Sequence, residues 1–245
     1  MTIIAPAKIK IRFILSLILV LVFSVLTLGT KYVIDKKAIS ASADKPSYTV
    51  VIDAGHGGVD GGTSSSDGTL EKDINLQIAQ KLNNTLQAFG IETVMTRTED
   101  VSIHDDSAKT IRQKKISDIK NRLNIINNTD NAIYLSIHQN HYSDSRYSGT
   151  QIFYSKNNSA SKQLAEKIRL PVITYFQNDN TREIKQSGSE IYLLNNAQVP
   201  AVMVECGFMS NQSETELLKN ENYQQKLAFM LAVGITDFIK STEEL

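Results

Sequence analysis

Short β-rich segments alternate with helical patterns along most of the chain, and this alternation constrains the fold more than any other feature of the sequence. The β-rich segments are mostly bounded by turn residues, whereas the helical segments carry an apolar stripe. The strand-like segments are 49–54, 92–96, 132–137, 151–154, 191–194 and 201–204, and the helical segments are 70–89, 107–127, 159–176 and 221–240. Alternation of this kind predicts a three-layer α/β/α domain with a largely parallel sheet. In such domains ligands bind outside the carboxyl ends of the strands.

The N-terminal region has a different composition. Three basic residues, Lys8, Lys10 and Arg12, precede an uncharged apolar run at 13–29, a pattern typical of a secretory signal or an uncleaved membrane anchor. We favour an anchor because the A-x-A-like site at 41–43 lies well beyond the run. The expected organisation is a hydrophobic helix acting as signal or anchor at 1–29, a linker at 30–47 and a folded domain at 48–241. This organisation predicts a secreted or membrane-anchored protein of the cell envelope.

The composition excludes several classes of protein. The 245 residues include 26 basic and 26 acidic ones, so the formal net charge is zero and no basic surface for nucleic acid is indicated. The single cysteine, Cys206, excludes an intramolecular disulfide and a cysteine-rich zinc module. A hydrophobic fraction of 41% is sufficient for a full core without cross-links.

Polar residues capable of chemistry follow three of the predicted strands. His56 lies in the glycine-rich turn after the first strand, His138 ends the strand at 132–137, and Glu205 ends the strand at 201–204. Glu71 opens the first helical segment. Catalytic zinc takes three protein ligands from imidazole and carboxylate and keeps one position open. His56, Glu71 and His138 would supply such a set for one zinc ion, which leaves Glu205 as a general base for the attacking water.

Each of these residues also has a plain structural interpretation. A histidine after a strand is often a satisfied structural residue, and Glu71 could compensate the dipole of its helix. Glu205 is harder to explain, because a carboxylate between Val204 and Cys206 is costly to bury unless it is paired or lies near a metal. Taken together, the residues indicate a metal-assisted hydrolase and leave its substrate open.

Five sequence blocks resemble the zinc-dependent N-acetylmuramoyl-L-alanine amidases (amidase type 3). They are 53–62, 70–76, 96–97, 136–140 and 200–212, in the order found in that family. The resemblance implies that His56, Glu71 and His138 bind zinc and that Glu205 is the catalytic carboxylate of the domain at 48–241. It also implies the substrate, the amide between the lactyl group of N-acetylmuramic acid and L-alanine in peptidoglycan.

A short anchor followed by a bare catalytic domain is similar to the germination-specific members of this family. Residues 112–127 and 181–185 also fit that subgroup. The similarity implies a role in the spore cortex, through formation of muramic δ-lactam with a deacetylase, in the space between the forespore and mother-cell membranes. Dependence of some members of the family on a partner leads us to expect an activating protein partner.

Three further residues are candidates for contacts to the substrate. Arg182 and Lys185 could bind carboxylates of the stem peptide, or they could be plain surface charges. Asn140 could position the substrate or hold the loop after His138. The run from Arg182 to Lys185 departs from the commoner Arg-Gly-Val-Lys-like pattern of the family.

Two other functions compete with the amidase interpretation. In a cysteine hydrolase, Cys206 would be the nucleophile and His138 its base. In a non-enzymatic protein, a membrane-tethered domain would bind peptidoglycan through a degenerate site. The apolar run before Cys206 argues against the first function, and the intact set of four polar residues argues against the second.

Overall fold

The computed structural model describes residues 23–25 and 48–243. Residues 23–25 belong to a different compact unit from residues 48–243, and the fold below is that of the second unit. Apart from 23–25, the predicted signal or anchor at 1–29 and the linker at 30–47 lie outside the described residues. Within the two described ranges, none of the helices combines the length and the apolar character needed to cross a membrane.

A sheet of six strands forms the centre of the described domain. The strands are β1 (Thr49–Ala54), β2 (Glu92–Met95), β3 (Ala132–Asn140), β4 (Gln151–Tyr154), β5 (Lys185–Gln186) and β6 (Ala201–Phe208). Their order in the sheet is β2-β1-β3-β6-β4-β5. Neighbouring strands are parallel except β4 and β6, which pair antiparallel. The prediction of a largely parallel sheet is therefore confirmed.

Helices cover both faces of this sheet. They are α1 (Glu71–Ala88), α2 (Ile111–Asn128), α3 (Ala160–Tyr175), α4 (Tyr192–Asn196), α5 (Gln212–Lys219) and α6 (Glu221–Glu243). The larger apolar cluster lies between the sheet and α1, α3 and α6, and the smaller one lies on the other face against α2 and α4. This arrangement confirms the predicted three-layer α/β/α architecture.

The strands distribute their side chains between the two faces by simple alternation. In β1, Val50 and Ile52 enter the larger cluster and Val51 enters the smaller one. In β6, Val204 packs into the larger cluster and Met203 into the smaller one. Ser136 and His138 of β3 and Glu205 of β6 follow the same alternation and share the face of Tyr134 and Met203. Gln139 lies on the other face, where its side-chain amide donates to Asn75 of α1.

The prediction of a strand at 191–194 is wrong, because residues 192–194 belong to helix α4 and Ile191 immediately precedes it. Leu193 and Leu194 are adjacent in sequence and both buried, which a half-buried strand does not allow. The backbone N–H of Asn195 donates to the carbonyl of Ile191 at 2.9 Å, as expected for a helical turn. Helix α5 and the two-residue strand β5 were not predicted. A signal for α5 was present, since Asn211 caps the helix by accepting from the N–H of Glu214.

Candidate metal centre

His56 lies in the turn that follows β1, and its backbone has a φ angle of 62°. This left-handed conformation is uncommon for residues other than glycine. The ring is fixed by two carboxylates, because Nδ1 lies 3.0 Å from Oδ2 of Asp60 and Nε2 lies 3.2 Å from Oε2 of Glu71. Burial alone would lower the pKa of His56, but these two carboxylates outweigh it and raise the pKa to about 9.

Glu71 is the first residue of α1, and both its carboxylate oxygens are held in place. Oε2 accepts from the backbone N–H of Thr63 at 2.8 Å, and Oε1 accepts from the backbone N–H of Gln139 at 3.1 Å. The side-chain amide of Asn75, one turn along the helix, also donates to Oε1 at 3.3 Å. Burial would raise the pKa of Glu71, yet the neighbouring histidines reverse this effect and hold the pKa well below its usual range. Glu71 is therefore an ionised carboxylate with a defined orientation.

The structure brings His56, Glu71 and His138 together. His138 lies near the end of β3, and its Nδ1 is 2.9 Å from Oε1 of Glu71. The ring centroids of the two histidines are 4.9 Å apart. Each of the three residues offers one ligand atom, and these atoms lie within 4.8 Å of one another. This arrangement of two imidazoles and a carboxylate could hold a metal ion.

Two glycines allow the backbone to pass close to these side chains. A Cβ atom on Gly55 would lie 2.3 Å from Nε2 of His138, and one on Gly62 would lie 2.5 Å from Oε2 of Glu71. Gly62 also has a φ of +69°, which L side chains rarely adopt. The glycine-rich turn after β1 therefore packs directly against the cluster, which explains part of its composition.

Glu205 lies beside the cluster on β6. The parallel pairing of β3 with β6 places Glu205 opposite His138, so both side chains leave the same face of the sheet. Oε2 of Glu205 is buried and has no hydrogen-bond partner among residues 48–243. Burial raises the pKa of Glu205 to about 7, although the charge on His138 acts in the opposite direction. The carboxyl group can therefore change protonation state near neutral pH.

A buried ionic network supports the turn that carries His56. Asp53, at the end of β1, accepts from Thr96, Tyr134 and Ser136 and forms an ion pair with Arg122. Burial would raise the pKa of Asp53, but Arg122 and the hydroxyl donors outweigh it and hold the pKa far below its usual range. Asp53 therefore stays ionised beneath the turn.

Two arginines extend from this network to the carbonyls of the turn. Arg122 donates to the carbonyls of Ala54 and His56 at 2.9 and 2.7 Å. Arg97 donates to the carbonyls of Ala54 and Gly55 at 2.8 and 3.0 Å. Sequence reasoning did not assign these supporting roles. The available signal was a charge, Asp53, within the apolar run of a predicted strand.

The three predicted substrate-binding residues lie in different environments. Asn140 ends β3, and its carbonyl accepts from the N–H of Met209 at 2.8 Å. Arg182 borders a cleft of about 850 Å³, where its guanidinium lies 4.5 Å from the ring centroid of Phe208 and its Nε donates to the carbonyl of Ser148. Lys185 is exposed on β5 and does not line this cleft.

The cysteine alternative finds no support in the geometry. Cys206 is fully buried in the larger apolar cluster, on the face of β6 opposite to Glu205. Burial also raises the pKa of its thiol well above the ordinary value. A buried thiol that stays protonated is a poor nucleophile.

A His/Glu/His cluster beside a buried carboxylate, at the carboxyl ends of parallel strands, is the arrangement of a metal-dependent hydrolase. Residues 50–237 match the model of the N-acetylmuramoyl-L-alanine amidase family, and the chain belongs to that family of peptidoglycan hydrolases. The family resemblance stated from the sequence is therefore confirmed.

Individual relatives agree with this assignment. The germination-specific N-acetylmuramoyl-L-alanine amidase of Bacillus subtilis is 34% identical over 186 residues, which cover 76% of this chain and 77% of the relative. The CwlD amidase of Clostridioides difficile, solved in complex with the GerS lipoprotein, is 39% identical with a TM-score of 0.76, covering 79% of this chain and 98% of the other. A second N-acetylmuramoyl-L-alanine amidase, from Clostridium difficile 630, is 32% identical with a TM-score of 0.70. The match covers 80% of this chain and 99% of the other.

Proposed function

We propose that this chain is a zinc amidase in which His56, Glu71 and His138 hold the metal and Glu205 transfers the proton. The observation that carries the proposal is the convergence of three ligand side chains beside a buried carboxyl group with an unpartnered oxygen. The bond cleaved is the amide between N-acetylmuramic acid and L-alanine, as the family assignment states.

The residues of the cluster fit a zinc ion. Zinc–nitrogen and zinc–oxygen bonds of about 2.0–2.1 Å in tetrahedral geometry separate two ligand atoms by about 3.3 Å. Nε2 of His56 and Oε2 of Glu71 are 3.2 Å apart, close to that separation, and all three ligand atoms lie within 4.8 Å of one another. Two imidazoles and one carboxylate are also a known ligand set of catalytic zinc sites.

The chemistry follows from the protonation states of these residues. Zinc, when bound, supplies a Lewis acid that polarises the amide carbonyl and lowers the pKa of water. Glu205 accepts a proton from the attacking water and then donates it to the departing amine of L-alanine. Burial raises the pKa of Glu205 to about 7 in the metal-free protein, and this burial favours uptake of the proton by the carboxylate.

Substrate contacts are proposed for Arg182, Asn140 and Lys185. Support is strongest for Arg182, whose guanidinium is fixed by the Phe208 ring and the Ser148 carbonyl at the border of a large cleft. A fixed guanidinium loses little entropy when it binds a carboxylate of the stem peptide. Replacement of Arg182 by Gln is expected to raise KM for peptidoglycan without changing the zinc content.

The biological setting is proposed from the relatives. Similarity to the germination-specific amidase of Bacillus subtilis supports a role in germination, which we place in the spore cortex. We propose that amide cleavage there precedes deacetylation and formation of muramic δ-lactam. The structure of CwlD with the GerS lipoprotein supports an activating protein partner for this chain. The apolar run at 13–29 supports attachment to a membrane on the outer side, with the catalytic domain at 48–241 facing peptidoglycan.

Metal content and cleavage of purified cortex peptidoglycan, measured together, test the catalytic proposal. The full chain and its Glu205→Ala variant should each bind about one zinc ion, and the variant should lose about 10²–10⁴-fold in rate of release of N-terminal L-alanine. Glu190→Gln, which alters an exposed carboxylate, serves as the matched control. Cleavage without zinc would refute the metal assignment. Zinc without cleavage, even with a lipoprotein partner added, would instead indicate a binding protein with a degenerate site.

A further inference from the structure

Helix α2 packs against the smaller apolar cluster through Ile126, which is buried, and through Ile119, Leu123 and Ile125, which are partly buried. Two of its residues are buried, Arg122 and Ile126, and one of these is charged. Ile111 and Ile116 on the same helix are exposed to solvent. Beside these apolar contacts, α2 makes a set of polar contacts directed at the turn that carries His56.

One of these contacts acts on the imidazole ring of His56. Nζ of Lys115 lies 2.8 Å from Oδ1 of Asp60, and Oδ2 of the same carboxylate lies 3.0 Å from Nδ1 of His56. A carboxylate accepts hydrogen bonds, so Nδ1 donates to Asp60. Nε2 faces the carboxylate of Glu71, and a metal ion held between them would take the place of the proton on Nε2. The contact therefore selects the orientation in which the ring can act as a ligand.

A second contact acts on the backbone of the same residue. Nη2 of Arg122 donates to the carbonyl of His56 at 2.7 Å, and Nη1 donates to the carbonyl of Ala54 at 2.9 Å. Arg122 is itself held on two sides, by the buried ion pair with Asp53 and by a 2.6 Å bond from Nε to Asp118. The guanidinium thus holds the turn on both sides of Gly55. A left-handed backbone is unfavourable for a residue with a Cβ atom, and these contacts hold His56 in that conformation.

We propose that helix α2 is a positioning element for the metal centre, through Lys115 and Asp60 on the ring of His56 and through Arg122 on its backbone. The inference rests on the proposed function, in which His56 is a zinc ligand. None of the three residues touches the reacting atoms. Their effect is on the geometry of one ligand, and therefore on the affinity of the site for zinc.

The ring contact is tested by zinc affinity, measured on the full chain by competition with a chromophoric chelator. Asp60→Ala should weaken zinc binding about 10–100-fold, the usual effect of removing a residue that orients a metal ligand. Asp60→Asn should restore part of the affinity, because its carbonyl oxygen still accepts from Nδ1. Lys115→Met should weaken binding by a smaller factor, since the lysine side chain is half exposed. The absorption spectrum of bound cobalt should shift in Asp60→Ala.

Matched controls separate a positioning role from a general loss of stability. Asp67→Ala removes another carboxylate of the same glycine-rich region, one that pairs with Lys219 away from His56. Lys120→Met removes another exposed lysine of α2. Both variants should bind zinc as tightly as the wild type. Equal zinc affinity and an unchanged cobalt spectrum in Asp60→Ala would overturn the inference.

The backbone contact is tested by Arg122→Lys, with Arg112→Lys on the exposed side of α2 as the control. Lysine keeps a positive charge beside Asp53, but one ammonium group cannot also reach the carbonyls of Ala54 and His56. Zinc affinity should fall about tenfold at temperatures where the variant is folded. Lower stability with unchanged zinc affinity would show that Arg122 is purely structural. If Arg122→Lys does not fold, the zinc affinities of the Asp60 and Lys115 variants decide whether α2 positions the metal centre. A wild-type chain that binds no zinc would refute the proposed function itself, together with this inference.

Discussion

Replacement of Glu205 by glutamine should make the metal-free protein more stable at slightly alkaline pH. The carboxyl group is buried, its Oε2 has no hydrogen-bond partner among the described residues of the domain, and burial raises its pKa from 4.5 to about 7. An ionised carboxylate in this position is therefore destabilising for the fold. Glutamine has nearly the same shape and cannot ionise, so the variant is free of this effect.

The size and sign of the effect follow from the two pKa values. Below pH 4.5 the carboxyl group is protonated in both the folded and the unfolded state, and ionisation contributes nothing. Between pH 4.5 and 7 the unfolded state ionises first, so the folded state loses stability as the pH rises. Above pH 7 the full difference is present, about 3 kcal/mol from the separation of the two pKa values. At pH 5 the same linkage gives less than about 1 kcal/mol.

Urea unfolding in the presence of a metal chelator measures this difference. The free energy of unfolding of Glu205→Gln, minus that of the wild type, should increase by about 2–3 kcal/mol between pH 5 and pH 8. Any constant cost of burying the amide cancels in this comparison. Glu190→Gln, which alters an exposed carboxylate, should follow the wild type at both pH values.

A difference that does not change with pH would refute the reasoning. It would mean that Glu205 has an ordinary pKa in the folded protein and is therefore hydrated or paired. An increase in the relative stability of the wild type with pH would refute it more strongly, because a favourable partner for the ionised form would then exist.

Three further predictions concern residues that surround the site, two that support it and one that tests the cysteine mechanism. Gly62→Ala should reduce zinc affinity about tenfold or more, because the added Cβ atom would lie 2.5 Å from the carboxylate of Glu71. Gly68→Ala is the control, because its Cβ atom would have no atom within 4 Å. It should lower the free energy of unfolding in urea by only about 1–2 kcal/mol and leave zinc binding unchanged. Asp53→Ala should lower the free energy of unfolding by about 3–5 kcal/mol, measured by urea unfolding at neutral pH, because Arg122 remains as a buried charge without its partner. Cys206→Ala should leave the rate of peptidoglycan cleavage within about twofold of the wild type, and a larger loss would revive the cysteine mechanism.

The sequence allowed the position of the site to be predicted because parallel strands share one carboxyl edge. Glu205 follows a continuous apolar run and His138 follows one interrupted only by Ser136, and such runs mark buried strands. The runs underestimated the length of the strands, since β3 continues to Asn140 and β6 to Phe208. The polar residues in these extensions break the apolar pattern although their backbones remain paired with the neighbouring strand.

Contacts over long sequence separations could not be predicted in the same way. Asp53 and Arg122 are 69 residues apart, and no local pattern in either segment indicates that they meet. The segment at 191–194 shows a different limit. Its four residues are apolar or aromatic, and a run of that length fits a buried strand as well as one turn of helix. Packing of Leu193 and Leu194 against the smaller apolar cluster decides the conformation.

The alternation of side chains along β3 and β6 has a consequence for how this domain can change in length. Insertion of a single residue in β6 before Val204 would exchange the faces of the residues that follow, so that Glu205 would point into the apolar cluster and Val204 would take its place beside His138. Deletion of a residue there would bring Cys206 to that place instead. Natural length variation among proteins of this fold is therefore expected in connecting segments such as 141–150, where an added residue displaces no metal ligand. The central strands should keep a constant number of residues even where their apolar side chains are freely exchanged.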